Sequence, residues 1–139
     1  MLIISHRGNT NGVNESLENN PTHIKELINS NIQTEIDVWC IDNDLLLGHD
    51  YPQYKVTDEF IKMNGLWCHA KNIDAFHYML KSKIRNCFWH ENDNFTLTSS
   101  GFIWTYPNKS ITDMSIIVDL DKNWKDKEYN CYGVCVDYL

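Results

Sequence analysis

The feature that most limits how this chain can fold is a series of short apolar runs separated by polar breaks. Eight such segments, rich in Ile, Val, Trp and Phe, are "LIIS", "TEIDVWC", "DLLLG", "GLWCHA", "NCFWH", "GFIWT", "SIIVDL" and "YGVCVDY". Their length and composition predict β-strands. Most of them are continuous rather than alternating, which is typical of strands covered on both faces, as in parallel sheets.

Segments between the predicted strands have the apolar spacing of amphipathic helices. Residues 21–30 start with Pro21, which suits the first turn of a helix, and carry apolar side chains on one face. Residues 73–82 predict a second helix, and residues 57–63 predict a third and shorter one. Strands that alternate with helices indicate an α/β fold.

The length of the chain limits how complete that fold can be. Its 139 residues suit a single domain over residues 1–139. Eight strands favour a β/α barrel, but such barrels usually take about 250 residues. We therefore expect a compact, trimmed (β/α) TIM-type barrel in which several helices are reduced to loops. An open α/β sheet is the alternative.

Composition narrows the partners and the location of the protein. The net charge of −7 disfavours nucleic acid, which attracts basic surfaces. No apolar run approaches the length of a transmembrane segment, and the apolar start is too short for a signal peptide, so we expect a cytoplasmic protein. The five cysteines include no Cys-x-x-Cys pair and lie mostly in apolar runs, which predicts buried, reduced thiols rather than a zinc site or disulfides.

Unusual polar residues end or follow five of the predicted strands. The carboxyl ends of parallel strands meet at one end of a barrel, where β/α barrels keep their chemistry. We therefore expect these residues to form one site: His6, Arg7, Glu35, Asp37, His49, Asp50, His69, Lys71, His90 and Glu91.

Glu35 and Asp37 form the first group with evident chemistry. Residues two apart on a strand point to the same face. Two carboxylates there resist burial unless a cation lies between them, and hard divalent metals bind carboxylate oxygens. The alternative is a solvated strand face, which the apolar neighbours Ile36 and Val38 disfavour.

His6 and His49 form the second group, because an imidazole can take or give a proton near neutral pH. The alternative for each is a structural histidine with satisfied hydrogen bonds. Arg7, next to His6, offers a fork of donors suited to a phosphate. Lys71 is a second candidate cation for the site, and the interpretation that it is an ordinary surface lysine is equally open. Tyr106 and Pro107 follow the sixth strand and are candidates for the mouth of the site.

Four short segments, in order along the first fifty residues, resemble one known family. "HRGN", "ENNP", "EID" and "GHD" are similar to the motifs of the glycerophosphodiester phosphodiesterases, which belong to the phosphatidylinositol-phospholipase-C-like phosphodiesterases. The ending "YGVCVDYL" is similar to the last strand of that family, where a late Asp recurs. The match is strong over residues 3–50, loose over 66–72 and barely visible over 86–131.

The resemblance implies a much shortened enzyme that uses a metal to hydrolyse a phosphodiester, with a small glycerophosphodiester-like substrate. His6 and His49 would be the acid/base pair. Arg7 would contact the phosphate, and Glu35 and Asp37 would hold Mg²⁺ or Ca²⁺.

The fourth strand departs from the family pattern. Lys71 is kept as a phosphate-binding residue, but His69 stands where relatives carry the acid that completes the metal site. Imidazole favours softer ions, which adds Mn²⁺ to the candidate metals. Either His69 is a ligand, or Glu91 or Asp119 replaces it.

Two other functions stay open from the sequence. A protein that keeps the phosphate site but has lost turnover would be a phosphate- or phosphodiester-binding module. A sugar-phosphate isomerase or aldolase is weaker, since it leaves the paired histidines unexplained. The short chain leaves no room for insertions that shape the pocket, so we expect either an open site or a homodimer that closes it.

Overall fold

The computed structural model describes residues 1–139 as one curled, mixed β-sheet with three short helices. The helices are α1 (Pro21–Asn29), α2 (Asp58–Ile61) and α3 (Ile73–Lys81). The strands are β1 (Leu2–Ser5), β2 (Gln33–Ile41), β3 (Asp44–Leu47), β4 (Tyr54–Val56), β5 (Leu66–Ala70), β6 (Cys87–Phe88), β7 (Phe95–Leu97), β8 (Ile103–Thr105), β9 (Ser115–Val118) and β10 (Gly133–Val136).

The sheet has a parallel centre and antiparallel margins. Its parallel strands lie in the order β6-β5-β2-β1-β10-β9-β8. The long strand β2 also pairs with β3, which pairs with β4, and β7 pairs with β8, all antiparallel. No ladder joins β6 to β8. The sheet therefore curls into a half-barrel rather than closing.

The predicted (β/α) TIM-type barrel is wrong. Helices follow only some of the parallel strands, three antiparallel strands interrupt the alternation, and the sheet stays open. The physical reason lies in the connections after residue 82, which are short and polar and carry no apolar face long enough to form a crossover helix. Loops cannot supply the outer layer of helices that a complete barrel needs.

The individual elements agree better with the sequence. Each of the eight apolar runs contains a strand, and the three predicted helices form. Asn20 caps α1 by accepting from the backbone N–H groups of Thr22 and His23, and Asn72 caps α3 by accepting from that of Ala75. The strands β4 and β7 were not predicted. Each has only three residues, none of them fully buried, so neither leaves a continuous apolar run.

Apolar side chains cover both faces of the sheet. On the convex face of β2 and β5, Ile36, Val38 and Cys68 pack against all three helices through a cluster that includes Ile24, Ile61 and Met79. The concave face is filled at one level by Ile4, Trp67, Phe88, Trp104, Ile116 and Cys135. The rings of Phe88 and Trp104 stack with centroids 4.3 Å apart, so side chains bridge the gap that no ladder closes.

Two sequence expectations about composition can be compared with the structure. All five cysteines are free, and four of them are buried, as the apolar runs around them predicted. None of the helices has both the length and the apolar character that crossing a bilayer requires.

Candidate active site

A cavity of about 490 Å³ lies at the carboxyl ends of the parallel strands, above the apolar layer of the concave face. All seven residues that the sequence singled out for catalysis, phosphate binding or metal binding line it. The register explains why they meet: Glu35 pairs with Trp67 and Asp37 with His69, so these side chains share the concave face. Segments far apart in the chain thus contribute to one site.

Glu35, Asp37 and His69 form a compact cluster in the floor of this cavity. One potential ligand atom from each lies within 4.8 Å of the others. The carboxylates are almost fully buried, with exposed side-chain fractions of 3% and 1%. Nδ1 of His69 is 3.2 Å from Oδ1 of Asp37 and 3.9 Å from Oε1 of Glu35. Two buried carboxylates and an imidazole nitrogen therefore point at a common position.

The hydrogen bonding of His69 makes this cluster suitable for binding a cation. Nε2 of His69 lies 3.2 Å from the backbone oxygen of His90, which can only accept, so Nε2 carries the proton. In a neutral ring this leaves the lone pair of Nδ1 facing the acids. Oδ1 of Asp37 is buried and accepts no hydrogen bond. In that neutral form, the lone pairs of Nδ1 and of the two carboxylates converge as in a divalent metal site with one nitrogen and two carboxylate ligands.

Asn19 holds Asp37 in place. Its Nδ2 donates to Oδ2 of Asp37 at 3.0 Å, and its Oδ1 accepts from the backbone N–H of Asp37 at 2.9 Å. Asn19 is buried and has a left-handed backbone, with φ of 55°. The sequence flagged it only as part of "ENNP" and gave it no role. The structure thus identifies it as a positioning residue for the acidic cluster.

His6 is paired with an aspartate from the other end of the chain. Its Nδ1 donates to Oδ1 of Asp137 at 2.8 Å, and Nδ2 of Asn9 donates to the same oxygen at 2.8 Å. Burial lowers the pKa of His6, but the hydrogen bond to Asp137 and the charge of Glu35 outweigh it and raise the pKa above its ordinary value. Sequence reasoning missed the role of Asp137, although the late Asp of the last strand was a signal for it.

His49 has a different environment. Its Nδ1 lies 3.2 Å from Oδ2 of Asp37, and its Nε2 lies 3.1 Å from Nη2 of Arg7. A guanidinium only donates, so Nε2 is an acceptor and the ring is neutral, with its proton on Nδ1. Gly48 aims this ring: a Cβ at Gly48 would lie 2.0 Å from the backbone oxygen of Tyr51. Only glycine allows this close turn after β3.

The two predicted phosphate-binding cations lie beside Asp37. Nε of Arg7 is 3.4 Å from Oδ2 of Asp37, and Nζ of Lys71 is 3.7 Å from its Oδ1. The backbone of Arg7 is left-handed, with φ of 54°, and its N–H donates to Oε2 of Glu35 at 3.2 Å. Such a backbone is unusual for arginine and typical of functional sites. Both cations can therefore reach an anion bound over the acidic cluster.

The two buried acids have opposite protonation tendencies. Burial and the charge of Asp37 raise the pKa of Glu35 above its ordinary value. Burial also opposes the ionisation of Asp37, but the rings of His49 and His69 and the charge of Arg7 hold the pKa of Asp37 well below its usual range. Asp37 is therefore the permanent negative charge at the centre of the site.

His90 completes the floor on the side of β6. Its ring stacks on that of His69, with centroids 4.6 Å apart and planes 2° from parallel. Burial, with the charges of His69 and Lys71, lowers the pKa of His90 to about 4. Its Nδ1 is buried and has no hydrogen-bond partner. The stack keeps the ring plane of His69 fixed, which fixes the direction of its Nδ1.

The other acids considered as third metal ligands lie elsewhere. Asp119 pairs with Lys127 at 2.7 Å and accepts a hydrogen bond from Tyr129, and it does not line the cavity. Glu91 lines the cavity but is exposed and stands outside the acidic cluster. Tyr106 and Pro107, candidates for the mouth of the site, do line it.

Comparison of the chain with protein-family models, with curated proteins and with solved structures finds no match.

Proposed function

We propose that this chain is a metal-dependent phosphoric diester hydrolase, similar in its site residues to the glycerophosphodiester phosphodiesterases. The observation that carries the proposal is the placement of two histidines in different hydrogen-bonding states around one acidic cluster, with Arg7 and Lys71 beside it. The ordered motifs of the first fifty residues support the same function. The substrate is a phosphodiester small enough for a cavity of about 490 Å³.

A phosphodiester carries a negative charge that repels nucleophiles. Arg7 and Lys71 offset this charge, and in a low-dielectric site their effect grows as charge builds up on the phosphate oxygens. A divalent cation, Mg²⁺, Ca²⁺ or Mn²⁺, held by Glu35, Asp37 and His69, adds positive charge for the same purpose.

The different states of the histidines suit opposite roles. His49 has a free lone pair on Nε2 once Arg7 turns to the phosphate, so it acts as the general base. It takes the proton of the attacking hydroxyl, whose oxygen forms the new P–O bond. His6, whose pKa is raised, acts as the general acid and gives the proton of its Nε2 to the leaving alkoxide as the old P–O bond breaks.

The attacking hydroxyl has two candidate sources. Water gives a phosphomonoester and an alcohol. A neighbouring hydroxyl of the substrate gives a cyclic phosphate first. The proposal holds for both, because the same two proton transfers serve either nucleophile.

A phosphodiester-binding protein without turnover is the second candidate. One observation favours it: Nη2 of Arg7 lies on Nε2 of His49, the atom that must receive the proton. In a binding protein this contact would persist when phosphate is bound.

Hydrolysis of bis(p-nitrophenyl) phosphate tests the proposal. We expect turnover with added Mg²⁺, Ca²⁺ or Mn²⁺, loss of turnover with a chelator, and loss in His49→Ala, which removes the general base. His77→Ala is the matched control, since His77 is exposed on α3 and outside the cavity. A background rate that is the same with and without metal, and the same in His49→Ala, contradicts an enzyme and leaves the binding protein.

A further inference from the structure

The cavity has two chemically different halves. The charged half comes from β1, β2, β5 and the turn after β3, and it holds every residue assigned above to catalysis, phosphate or metal. The other half comes from the ends of β6, β8 and β9 and the residues that follow them. We call its apolar and aromatic members the apolar wall: Trp89, Trp104, Tyr106, Pro107, Val118 and Leu120.

The apolar wall carries no positive charge. No lysine or arginine from the chain after residue 71 lines the cavity, and the charged residue that does is Glu91. Arg7 and Lys71 are held on the opposite side by their ion pairs with Asp37. An anionic group placed against this wall would lose its hydration without gaining a cation.

The side-chain hydroxyl that the wall contains already has a hydrogen-bond partner. The hydroxyl of Tyr106 donates to the backbone oxygen of Glu91 at 2.9 Å, and its ring lies edge-on to that of His90, with centroids 4.8 Å apart. These contacts hold the Tyr106 ring in place and use its hydroxyl proton, so the ring offers a ligand an aromatic surface rather than a hydrogen-bond donor. Such a surface gains from apolar contact and from stacking.

Leu120 extends the wall to the rim. It lies two residues after the end of β9, lines the cavity and still has 41% of its surface exposed. An exposed leucine in the lining of the same cavity gives an incoming apolar group more area to cover.

From this arrangement we propose that the apolar wall is the subsite for one arm of the phosphodiester, and that this arm is an uncharged apolar or aromatic group. The inference rests on the proposed function, because it takes the phosphate to lie over the acidic cluster. The second ester arm of the phosphodiester would lie in the charged half of the cavity. Leu120 and Tyr106 determine the specificity of the wall without taking part in proton transfer.

Binding of single-arm phosphonates tests this subsite without requiring turnover. Phenyl, 2-hydroxyethyl and 2-carboxyethyl methylphosphonate carry the same charged phosphorus group and differ in their one ester arm. Titration calorimetry with Mn²⁺ present measures their affinities. We expect the phenyl compound to bind about tenfold or more tightly than either of the others.

Variants of Leu120 test whether the apolar wall causes the preference for the phenyl arm. Leu120→Ala is expected to weaken binding of the phenyl compound several-fold, and Leu120→Lys is expected to narrow or reverse the preference by attracting the carboxylate arm. Leu97→Ala is the matched control, because Leu97 is 69% exposed and lies outside the cavity lining. It should leave all three affinities unchanged.

The possible results distinguish a failure of the proposed subsite from a failure of the phosphodiesterase proposal. If the polar or anionic arm binds as tightly as phenyl, or if neither Leu120 variant changes the ratio, the subsite is overturned and the phosphodiesterase proposal stands. If none of the three compounds binds, the phosphate site itself is contradicted and the subsite falls with it. Preference for phenyl in a protein that shows no hydrolysis supports the subsite and favours a binding protein.

Discussion

The two histidines of the site have the same kind of partner but different surroundings. Each has Nδ1 close to an aspartate oxygen, at 2.8 Å for His6 and Asp137 and at 3.2 Å for His49 and Asp37. Asp137 is anchored by Asn9, whereas Asp37 is shared with His69, Arg7 and Lys71. The His6 side chain is 12% exposed and that of His49 is 36% exposed.

This difference shows how one fold separates an acid from a base. A dedicated aspartate favours the protonated form of His6. The aspartate of His49 is shared among several partners, and a guanidinium nitrogen of Arg7 lies 3.1 Å from Nε2 of His49. The same residue type thus acquires two roles from two different neighbourhoods.

The largest expected effect comes from removing each ring in turn. His49→Asn should slow hydrolysis about 10²–10⁴-fold for every substrate, because the attacking hydroxyl always loses a proton. His6→Asn should have a similar effect on a dialkyl phosphodiester. It should cost less than about tenfold for bis(p-nitrophenyl) phosphate, whose leaving group needs no proton. Steady-state rates on the two substrates measure this, and equal losses for both variants on both substrates contradict the assigned roles.

A second large effect is expected from Asp37→Asn. This change removes the central negative charge and one ligand of the acidic cluster, so we expect the affinity for Mn²⁺ to fall about 100-fold or more. Titration with Mn²⁺ measures it. Asp50→Asn is the matched control: Asp50 lies near His49, but its side chain is 86% exposed and it is not in the acidic cluster. Unchanged Mn²⁺ affinity in Asp37→Asn would refute the metal site.

An intermediate effect is expected from Asp137→Asn. The charge of Asp137 raises the pKa of His6, so its removal lowers that pKa. If His6 acts as an acid, the alkaline limb of the pH–rate profile moves to lower pH, and the rate falls about 10- to 100-fold near neutrality. The profiles of both proteins measure this. A shift of that limb to higher pH would mean that His6 is not the proton donor.

The smallest expected effect is on stability. The pKa of His6 is raised in the fold, so its contribution is complete below about pH 6.5 and is lost as pH rises through the folded pKa. The pKa of Asp137 is lowered, so its contribution is complete above about pH 4 and is lost as pH falls through the folded pKa.

The pair should therefore stabilise the fold most between about pH 4 and pH 6.5. We expect Asp137→Asn to reduce the free energy of unfolding by about 1–2 kcal/mol in that window, and by less on either side of it. Urea denaturation across the pH range measures the difference. A deficit that stays constant with pH would show that the two charges do not interact.

The site was easier to predict than the fold. The polar groups at the ends of apolar runs marked the edge where parallel strands meet for β1, β2 and β5, so His6, Glu35, Asp37 and His69 could be grouped from the sequence. His49 lines the same cavity for a different reason, because β3 runs antiparallel to β2 and brings His49 back beside Asp37. The alternation of side chains along β2 placed the two acids on one face, which the register bears out. These signals are local.

The features that the sequence did not predict depend on contacts between residues far apart in the chain. Whether a curled sheet closes depends on what covers its outer face, and strand count alone does not show this. The polar connections after residue 82 left a trimmed barrel and an open sheet as alternatives, and the structure has an open sheet, with no ladder between β6 and β8. Asp137 and Asn19 were missed as partners because they lie 131 and 18 residues from the groups they hold. Hydrogen bonds over such distances leave no periodic signal.

A crystal grown with Mn²⁺ and phosphate tests the central claim most directly. We predict an anomalous peak for Mn²⁺ bonded to Glu35, Asp37 and Nδ1 of His69. Phosphate should lie between the rings of His6 and His49 and contact Arg7, whose guanidinium should have moved away from Nε2 of His49. A peak bound elsewhere, or a His69 ring that turns Nδ1 away from the two acids while the phosphate occupies a different surface, would contradict it.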